Sequence, residues 1–255
     1  MEIEKIKDII KGRPVAILLH GSSVDELEQR IESFRNVDIC WSALGNFPVF
    51  EKYILSKINK RLDFIFDCAT VPESRYDIYE PVRQKRILDY LAREDNNMWV
   101  TAHGMIRDQF NNIIPDKTAI VDRIFPREEV GPYMNVPNSA TLHIAAALYG
   151  GASAIYIFGL DGYVGDVELG YKFYYKPEET YKERMLALGR LEDPGINRDS
   201  MVFDDRIPGI IHKYKFLFRT TAPIYNVSPV TIYKSFEKIS YMDAIQLLKG
   251  ESTWM

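Results

Sequence analysis

The fold of this chain is constrained above all by short apolar runs that are separated by segments with helical periodicity. Five runs have the length of strands, and they lie at Val15–Leu19, Val37–Trp41, Leu62–Phe66, Met98–Val100 and Ala154–Phe158. Alternation of strands and helices indicates βαβ units and a mostly parallel sheet. The runs are apolar throughout, as expected of parallel strands that are covered on both faces. We therefore predict an α/β, Rossmann-like fold with helices flanking the sheet.

Helices are predicted around and between these strands. The N-terminus, MEIEKIKDIIKGRP, is amphipathic, and helical spacing of apolar residues recurs at Asp25–Phe34, Phe47–Ile58 and Tyr76–Arg93. The stretch 106–136 is irregular and predicts a connection with one short strand near Ala119–Val121. Residues 1–163 are thus interpreted as the Rossmann-like core.

The character of the chain changes after the core. Residues 164–220 are interpreted as a smaller lid or acceptor region, and residues 221–255 as a strand and a helix that complete the core. The elements predicted here are a helix at Glu178–Leu191, a loop at Asp193–Pro208, a helix at Ile210–Phe218 and a strand at Ala222–Val227. Ser240 and Asp243 are expected to form a capping box at the start of the last helix.

The overall charge and hydropathy exclude several classes of protein. The 255 residues are 46% hydrophobic and carry a formal net charge of −4, which argues against a nucleic-acid-binding surface. No apolar run approaches the roughly 18 residues that span a bilayer, and the N-terminus lacks the apolar core and cleavage site of a signal peptide. Cys40 and Cys68 each follow an apolar run and are predicted to be buried thiols. These features favour a cytoplasmic location.

Ligands of open parallel sheets bind beyond the carboxyl ends of the strands. The residues that directly follow the predicted strands are therefore candidates for a binding or catalytic site. They are His20, Gly21, Ser22, Ser23, Ser42, Asp67, His103, Gly159 and Asp161. Because they come from several strands, we expect them to line one shared crevice.

The segment ILLHGSSVDELEQRI has the pattern of a strand, a tight turn and a helix. Gly21 allows the backbone to approach a ligand closely, and Ser22 or Ser23 can cap the helix together with Glu26. Free N–H groups at such a helix start suit a phosphate. The segment matches neither the P-loop nor the dinucleotide-binding glycine pattern. A capped helix without a ligand would have the same sequence, so both interpretations stay open.

The stretch PNSATLHIAAALYGGASAIYIFGLDGY predicts a helix that packs closely on a buried strand. Asn138 or Ser139 is a suitable N-cap, alanines allow close packing, and two glycines end the helix. Because helix and strand run antiparallel, the helix start at Asn138–Thr141 is expected at the same edge as Asp161, which follows the strand. Asp161 is expected either to cap the following turn or to bind a ribose or sugar hydroxyl or a metal ion.

These two stretches, together with ICWSALGNFPVFEKYI, resemble the 6-hydroxymethylpterin diphosphokinase MptE-like domain family, which is related to bacterial Rossmann-like sialyltransferases. The resemblance covers about residues 14–163 and implies a nucleotide-binding core. The chain departs from the pattern where Ser22 replaces a proline and where Trp41-Ser42 replaces a nucleotide-contacting Asn. The segment Asn197–Pro208 lacks the catalytic histidine of the sialyltransferases. His212 follows in a predicted helix, where we expect a packed, hydrogen-bonded side chain.

The resemblance implies a nucleotide-dependent transferase, most simply a glycosyltransferase whose donor is a nucleotide-activated, CMP-type sugar. In this hypothesis, phosphate lies at the turn Gly21–Ser23 and at the helix start near Ser139, and Asp161 binds sugar or ribose hydroxyls. The first turn and Ser42 are expected to contact the nucleotide.

The resemblance also assigns Tyr171 and Tyr174, with neighbouring Tyr175, to hydrogen bonding of the leaving phosphate. Packing of a lid is the alternative role of these tyrosines. A general base is needed to activate the hydroxyl of a saccharide or other acceptor. The candidates for the base are His103, His20, Asp204 and Asp205.

Two other functions stay open. A magnesium-dependent pyrophosphoryl transferase of the MptE type would use ATP and a pterin or related alcohol, with Asp67 and Asp161 as metal ligands. A non-catalytic nucleotide-binding protein is the third hypothesis, because the first turn departs from the family pattern. The aromatic and proline-rich segments are also compatible with a homo-oligomeric interface.

Overall fold

One parallel sheet forms the centre of the molecule. The computed structural model describes residues 4–21, 23–44, 47–66, 85, 87–93, 97–101, 117–120, 139–161, 196–231 and 233–250. Within these residues, the strands are β1 (Val15–Leu18), β2 (Cys40–Leu44), β3 (Phe64–Phe66), β4 (Met98–Thr101), β5 (Thr118–Ile120), β6 (Ile155–Phe158), β7 (Ile224–Asn226) and β8 (Glu237–Lys238). Their spatial order is β5-β4-β3-β2-β1-β6-β7-β8, and every neighbouring pair is parallel. The predicted α/β, Rossmann-like class is confirmed.

The sheet extends from β1 in two directions. Strands β1 to β5 follow one another to one side, and the chain then returns so that β6 pairs with the other side of β1. Leu18 of β1 consequently lies between Ala43 of β2 and Phe158 of β6. The place between β1 and β6, where the strand order reverses, is called the switch point below. Ligands of open α/β sheets bind at the carboxyl ends of the strands at such a place.

Helices cover both faces of the sheet. They are α1 (Lys5–Ile10), α2 (Val24–Arg30), α3 (Phe47–Tyr53), α4 (Ser139–Tyr149), α5 (Ile196–Leu217) and α6 (Tyr241–Leu248). Residues 87–93 are also helical, and short 3₁₀ segments follow α2 and α3 at Ile31–Phe34 and Leu55–Ile58. The described part of the chain contains no helix with the length and hydropathy needed to cross a membrane.

Each face of the sheet packs into its own hydrophobic cluster. Ala16 and Leu18 of β1 belong to the cluster under α2, α3 and α6, whereas Val15 and Ile17 belong to the cluster under α1, α4 and α5. All four residues of β1 are fully buried. Successive side chains of a strand point to opposite faces. The continuous apolarity in the sequence is therefore explained by cover on both sides.

Helix α4 packs closely on the centre of the sheet. Its alanines at 145, 146 and 147 are fully buried, and the helix lies against β1, β2, α1 and α5. Small side chains allow this close approach. The chain leaves α4 through Gly151, whose φ is +79°, and enters β6 at Ile155. Helix α4 therefore runs antiparallel to the strands, as predicted, and begins at their carboxyl ends.

One predicted strand is shifted along the sheet, and one short strand was not predicted. The second strand was expected at Val37–Trp41 but runs from Cys40 to Leu44. The strand can include the polar Ser42 because the buried hydroxyl of this residue forms hydrogen bonds with the carbonyl of Ala16 and with His143. Strand β8 was not predicted, since it has only two residues.

The capping box at Ser240 and Asp243 is confirmed. Cys40 is a buried free thiol, and Cys68 lies outside the described residues.

The predicted loop at Asp193–Pro208 is wrong from residue 196 onward, because α5 runs through it. Pro208 removes one backbone hydrogen bond and disfavours a helix interior by about 3 kcal/mol. Ile207, Ile211 and Tyr214 nevertheless lie on one buried face of α5. Each buried side chain of this size stabilises by about 1.5–3 kcal/mol, so burial outweighs the proline.

Candidate functional site

The candidate site is the carboxyl edge of the sheet around the switch point. The loops after β1, β6 and β7 meet there, and α2 and α4 begin there. The first two loops touch through their backbones, since the N–H of Gly21 donates to the carbonyl of Gly159 at 3.0 Å and the N–H of Leu19 to that of Phe158 at 2.9 Å. The switch point is thus closed by protein contacts directly above the strands.

Two glycines make this contact possible. A Cβ atom on Gly21 would lie 2.4 Å from the carbonyl oxygen of Gly159 and 2.5 Å from the carboxyl carbon of Asp161. A Cβ atom on Gly159, whose φ is +80°, would lie 2.5 Å from the carbonyl oxygen of Leu19. Gly21 was expected to allow approach to a ligand. In the structure it allows approach to the loop after β6.

Asp161 is the centre of the closure. Its Oδ2 accepts a hydrogen bond from the backbone N–H of Ser23 at 2.8 Å, and its Oδ1 accepts from the hydroxyls of Ser23 at 2.5 Å and Ser228 at 2.6 Å. Only 4% of the residue is exposed. The expectation that this carboxylate binds a sugar, a ribose or a metal at the rim of a crevice is corrected. The turn that follows Asp161, which it was alternatively expected to cap, lies outside the described residues; the contacts observed are with the start of α2 and with Ser228.

The start of α2 is consequently occupied. Ser23 is the N-cap residue, but its hydroxyl bonds to Asp161 and makes no capping bond to the helix, so the predicted capping box with Glu26 is wrong. Its N–H group, which was expected to face a phosphate, also donates to Asp161. A negative charge at a helix N-terminus is favourable, and here the protein supplies that charge itself.

Helix α6 secures the same turn from the other face. The hydroxyl of Tyr241, at the start of α6, donates to the carbonyl oxygen of Ser23 at 2.9 Å. Tyr241 is buried, and burial raises the pKa of its hydroxyl above the ordinary range. The hydroxyl therefore stays protonated and acts as a permanent donor. The turn after β1 is held by β6, β7 and α6 together.

His20 occupies the β2 side of the closed turn. Its Nε2 lies 2.8 Å from the carbonyl oxygen of Leu44, at the end of β2, so this nitrogen carries the proton and donates. The ring also lies against Phe50 with centroids 5.0 Å apart. His20 is half-buried. Among the predicted binding residues it is a partly exposed, titratable side chain at the carboxyl edge.

Ser42 lies beneath the edge, inside the sheet. Its hydroxyl donates to the carbonyl oxygen of Ala16 at 2.9 Å, and Nε2 of His143 lies 2.9 Å from the same hydroxyl oxygen. Ser42 is fully buried, and so is Thr141 of α4. Both were predicted to contact a nucleotide, and burial removes them from the ligand-facing surface.

His143 was missed by the sequence analysis. The ring is fully buried between Ser42 and the aromatic rings of Phe64 and Phe66, with centroids 5.4 and 5.1 Å away. Burial lowers the pKa of His143 from 6.5 to about 3, so the ring is neutral at physiological pH. Because the Ser42 hydroxyl proton is used elsewhere, Nε2 of His143 is the donor, and Nδ1 has no hydrogen-bond partner among the described residues. The sequence signal that could have identified His143 was a single histidine in an otherwise apolar, alanine-rich helix.

Ser228 and Asn226 were also missed. Asn226 is fully buried and donates from Nδ2 to the carbonyl oxygen of Leu160 and to Oγ1 of Thr231, both at 3.0 Å. Its Oδ1 accepts no hydrogen bond from the part of the chain that is described. Ser228 is the residue that follows the predicted strand Ala222–Val227. The rule that selected the other candidates would have found Ser228 if it had been applied to that strand.

Several predicted residues are not part of this arrangement. Those outside the described residues are Ser22, Asp67, His103, Asn138, Tyr171, Tyr174 and Tyr175. Ser139 begins α4 at the carboxyl edge, and Asp204 and Asp205 lie on α5; only their backbones are described. His212 is exposed on α5, so the expected packed role is wrong.

The chemistry of the described edge is that of neutral hydrogen-bond donors around one carboxylate. Across the described ranges, no group of three or more His, Cys, Asp and Glu side chains could hold a metal ion. Comparison with models of protein families, with curated proteins and with solved structures finds no match to this chain.

Proposed function

We propose that the chain is a nucleotide-dependent transferase that binds its nucleotide over the carboxyl ends of β1, β2 and β3, beside the start of α4. The donor is proposed to be a nucleotide-activated sugar of the CMP type, and the acceptor a saccharide or another hydroxyl compound. The observation that carries the proposal is the position of the 11-residue helix α4, which begins at the carboxyl edge of an all-parallel sheet and lies against β1 and β2. The resemblance described above supports the class of reaction.

The phosphate is assigned to α4 and not to α2. The N–H of Ser23, at the start of α2, already donates to Asp161, so a phosphate there would have to displace a carboxylate held by three hydrogen bonds. The first N–H groups of a helix have no partner within the helix, and they attract anions. Helix α4 has no acidic residue in its first turn. Its start therefore suits a phosphate better.

Among the described residues, His20 is proposed to position the nucleotide at this site. His20 joins the ends of β1 and β2 through the carbonyl of Leu44 and is half-buried, so we propose that its ring lies beside the bound nucleotide. Tyr171 and Tyr174 remain the proposed donors to the leaving phosphate, and His103 the proposed base. Asp161 has no part in the proposed chemistry, because its oxygens accept bonds from Ser23 and Ser228.

The burial of Asp161 also favours a second candidate, a nucleotide-binding protein without transferase activity. Its carboxylate has the contacts of a structural cap, as the non-catalytic hypothesis expects. The two candidates share the nucleotide and differ in turnover. A magnesium-dependent reaction with ATP is tested in the same experiment.

The test is calorimetric titration of the full chain with CMP, UDP and ATP, each with and without magnesium. Metal-free binding of CMP is expected, and binding of ATP that requires magnesium would replace the sugar donor by the diphosphotransferase alternative. Incubation with a CMP-sugar, with and without a panel of saccharides, followed by ³¹P NMR, separates the two candidates, because only a transferase releases CMP faster than the enzyme-free control when an acceptor is present. Absence of binding by all three nucleotides would overturn the proposal.

A charge at the start of α4 tests the location. Ser139→Asp places a carboxylate where we assign the phosphate, and we expect CMP affinity to fall at least about tenfold through like-charge repulsion. The same change favours the helix itself, so the fold should not be weakened. Ser153→Asp is the matched control, since Ser153 is exposed at the opposite edge of the sheet, before β6. Equal affinities of the two variants would place the nucleotide elsewhere.

A further inference from the structure

The end of α5 presents an exposed apolar and basic surface. Phe216 is 83% exposed and Leu217 37% exposed. His212, Lys213 and Arg219 are exposed around them. We call these five residues the α5 end surface. It lies at the amino edge of the sheet, because α5 ends just before the chain enters β7 at Ile224.

The helix end fixes the direction of Phe216. Ile207, Ile211 and Tyr214 form the buried face of α5, and helical geometry places residue 216 on the opposite side. The helix then stops in a fixed turn, in which the N–H of Arg219 donates to the carbonyl of Phe216 at 3.1 Å and that of Thr220 to the carbonyl of Lys215 at 2.9 Å. This is the Schellman pattern of helix ends. Phe216 therefore protrudes from a rigid, convex end.

Exposed cations neighbour the protruding ring in the last turns of α5. The chain has a net charge of −4, yet no acidic residue lies between Asp205 and Glu237, a segment that contains Arg206, Lys213, Lys215, Arg219 and Lys234. Of these cations, Lys213 and Lys215 lie in the last turns of α5 and Arg219 follows the helix directly. A single exposed apolar residue needs no explanation, but one inside a cationic field suits a particular kind of partner.

The basic surface continues onto α1. The ring of Phe218 lies against that of Tyr149 with centroids 5.4 Å apart, and Nζ of Lys7 lies 4.6 Å from the centre of the Tyr149 ring. Lys5, Lys7 and Lys11 are exposed on and after α1. The acids of this helix are Glu4, which pairs with Lys7 at 2.8 Å, and Asp8. Lys7 of α1, paired with Glu4, is thus the cation of this helix that the Tyr149 and Phe218 rings link to the end of α5.

We propose that the α5 end surface binds the surface of an anionic lipid bilayer. Phe216 and Leu217 enter the headgroup region, and Lys213 and Arg219 contact lipid phosphates while their apolar stems lie along the interface. Anionic lipids attract such basic segments. A convex, protruding aromatic ring needs no matching pocket in a fluid headgroup layer, which favours a bilayer over a folded protein. The carboxyl edge with the candidate site would face away from the bilayer.

The experiment is co-sedimentation of the full chain with vesicles of phosphatidylcholine alone and of phosphatidylcholine with phosphatidylglycerol. Binding is expected only to the anionic vesicles and is expected to weaken with added salt, because screening reduces attraction between charges. Phe216→Ser and the double variant Lys213→Glu, Arg219→Glu should each weaken binding at least about tenfold. Phe216→Trp should show a blue shift of its fluorescence on anionic vesicles as the indole enters the interface.

Matched controls separate this surface from general effects. Met242→Ser changes another apolar side chain, 51% exposed on α6, and Lys60→Glu changes another exposed cation; both should bind like the wild type. Circular dichroism checks the fold of every variant. Equal binding of Phe216→Ser and wild type, or no binding to anionic vesicles, would overturn the proposal. So would concentration-dependent dimers in sedimentation velocity that Phe216→Ser abolishes while vesicles have no effect, since the partner would then be a second copy.

Discussion

The two edges of the sheet near β1 are closed in different ways. At the carboxyl edge, Asp161 is buried and bound by neutral donors on Ser23 and Ser228. At the amino edge, Asp63 is partly exposed and pairs with the guanidinium of Arg13 at 3.0 Å. Asp63 also accepts the N–H of Trp41 at 2.8 Å, and burial raises its pKa above the ordinary range. Among the described residues, Asp161 is bound by hydrogen-bond donors alone, whereas Asp63 also pairs with a cation.

The glycines of the two edges differ as well. Gly21 and Gly159 at the carboxyl edge have backbone or carboxyl atoms within 2.5 Å of where a Cβ would lie. Gly12 and Gly151 at the amino edge have positive φ angles but nothing within 4 Å of such a Cβ. Glycine is required for space at the carboxyl edge, where Gly159 also has a φ of +80°, and for conformation alone at the amino edge. The carboxyl edge should therefore tolerate substitution far less well.

Loss of the buried carboxylate is the largest expected effect. Asp161→Ala leaves the N–H and hydroxyl of Ser23 and the hydroxyl of Ser228 without their acceptor, and we expect the free energy of unfolding to fall by about 3–5 kcal/mol. Urea denaturation measures the change. Asp161→Asn should recover part of the loss, because hydroxyls can rotate to accept from its amide. A loss below about 1 kcal/mol for the alanine variant would show that Asp161 does not hold the edge together.

The glycine pair tests the comparison directly. Gly21→Ala forces a methyl group against the carbonyl of Gly159 and the carboxyl of Asp161, and should destabilise by about 3 kcal/mol. Gly151→Ala should cost only the 1–2 kcal/mol or so of a left-handed φ without a clash. Thermal and urea unfolding of both variants give the two values. Equal losses of unfolding free energy in the two variants would mean that the loops at the carboxyl edge can separate to accept the methyl group, contrary to the tight contact described here.

Acid should weaken the interior between the two edges through His143. Its folded pKa of about 3 lies below the ordinary 6.5, so the unfolded chain binds more protons and stability falls as pH is lowered. Between pH of about 7.5 and pH of about 5 the expected loss is about 2 kcal/mol. Urea unfolding of the wild type across this range measures it.

His143→Gln is the control for that measurement, since a glutamine amide can still donate to Ser42 but does not titrate. The free energy of unfolding of the wild type minus that of His143→Gln should rise with pH between the folded pKa and the ordinary pKa of His143. Asp63 acts in the opposite sense, because a raised carboxyl pKa contributes stability at low pH that is lost as pH rises through it. A flat difference curve would contradict a buried neutral imidazole.

The sequence predicted the core of the fold because its strands are continuous apolar runs. Strands β1 and β6 were placed to within one residue, and the start of α6 by its capping box. Strand β2 was placed too early because Ser42 is polar, although a hydrogen bond to Ala16 satisfies it inside the sheet. Helix α5 was missed around Pro208 because the burial of Ile207 and Ile211 is a tertiary effect.

The candidate edge was predicted in place but not in detail. Ser23 and Asp161 were both selected as residues that follow strands, and the structure brings them together across 138 positions of the chain. That they would bond to each other, and recruit Ser228, depends on how closely two glycine turns pack. Such a distance cannot be obtained from local patterns. The polar residues were recognised, but their partners were taken to be a ligand.

Arg219→Gly is the smallest expected change, and it tests whether backbone conformation governs the amino edge. Arg219 has a φ of +52° at the end of α5, a position that favours glycine because other residues have an unfavourable Cβ contact there. We expect the variant to gain about 0.5–1 kcal/mol in thermal unfolding. The same variant removes a cation from the α5 end surface, so its binding to anionic vesicles should weaken while its stability rises. A loss of stability instead would show that contacts of the Arg219 side chain stabilise the fold by more than its left-handed backbone conformation destabilises it. The end of α5 at the amino edge would then depend on side-chain contacts, as the carboxyl edge does.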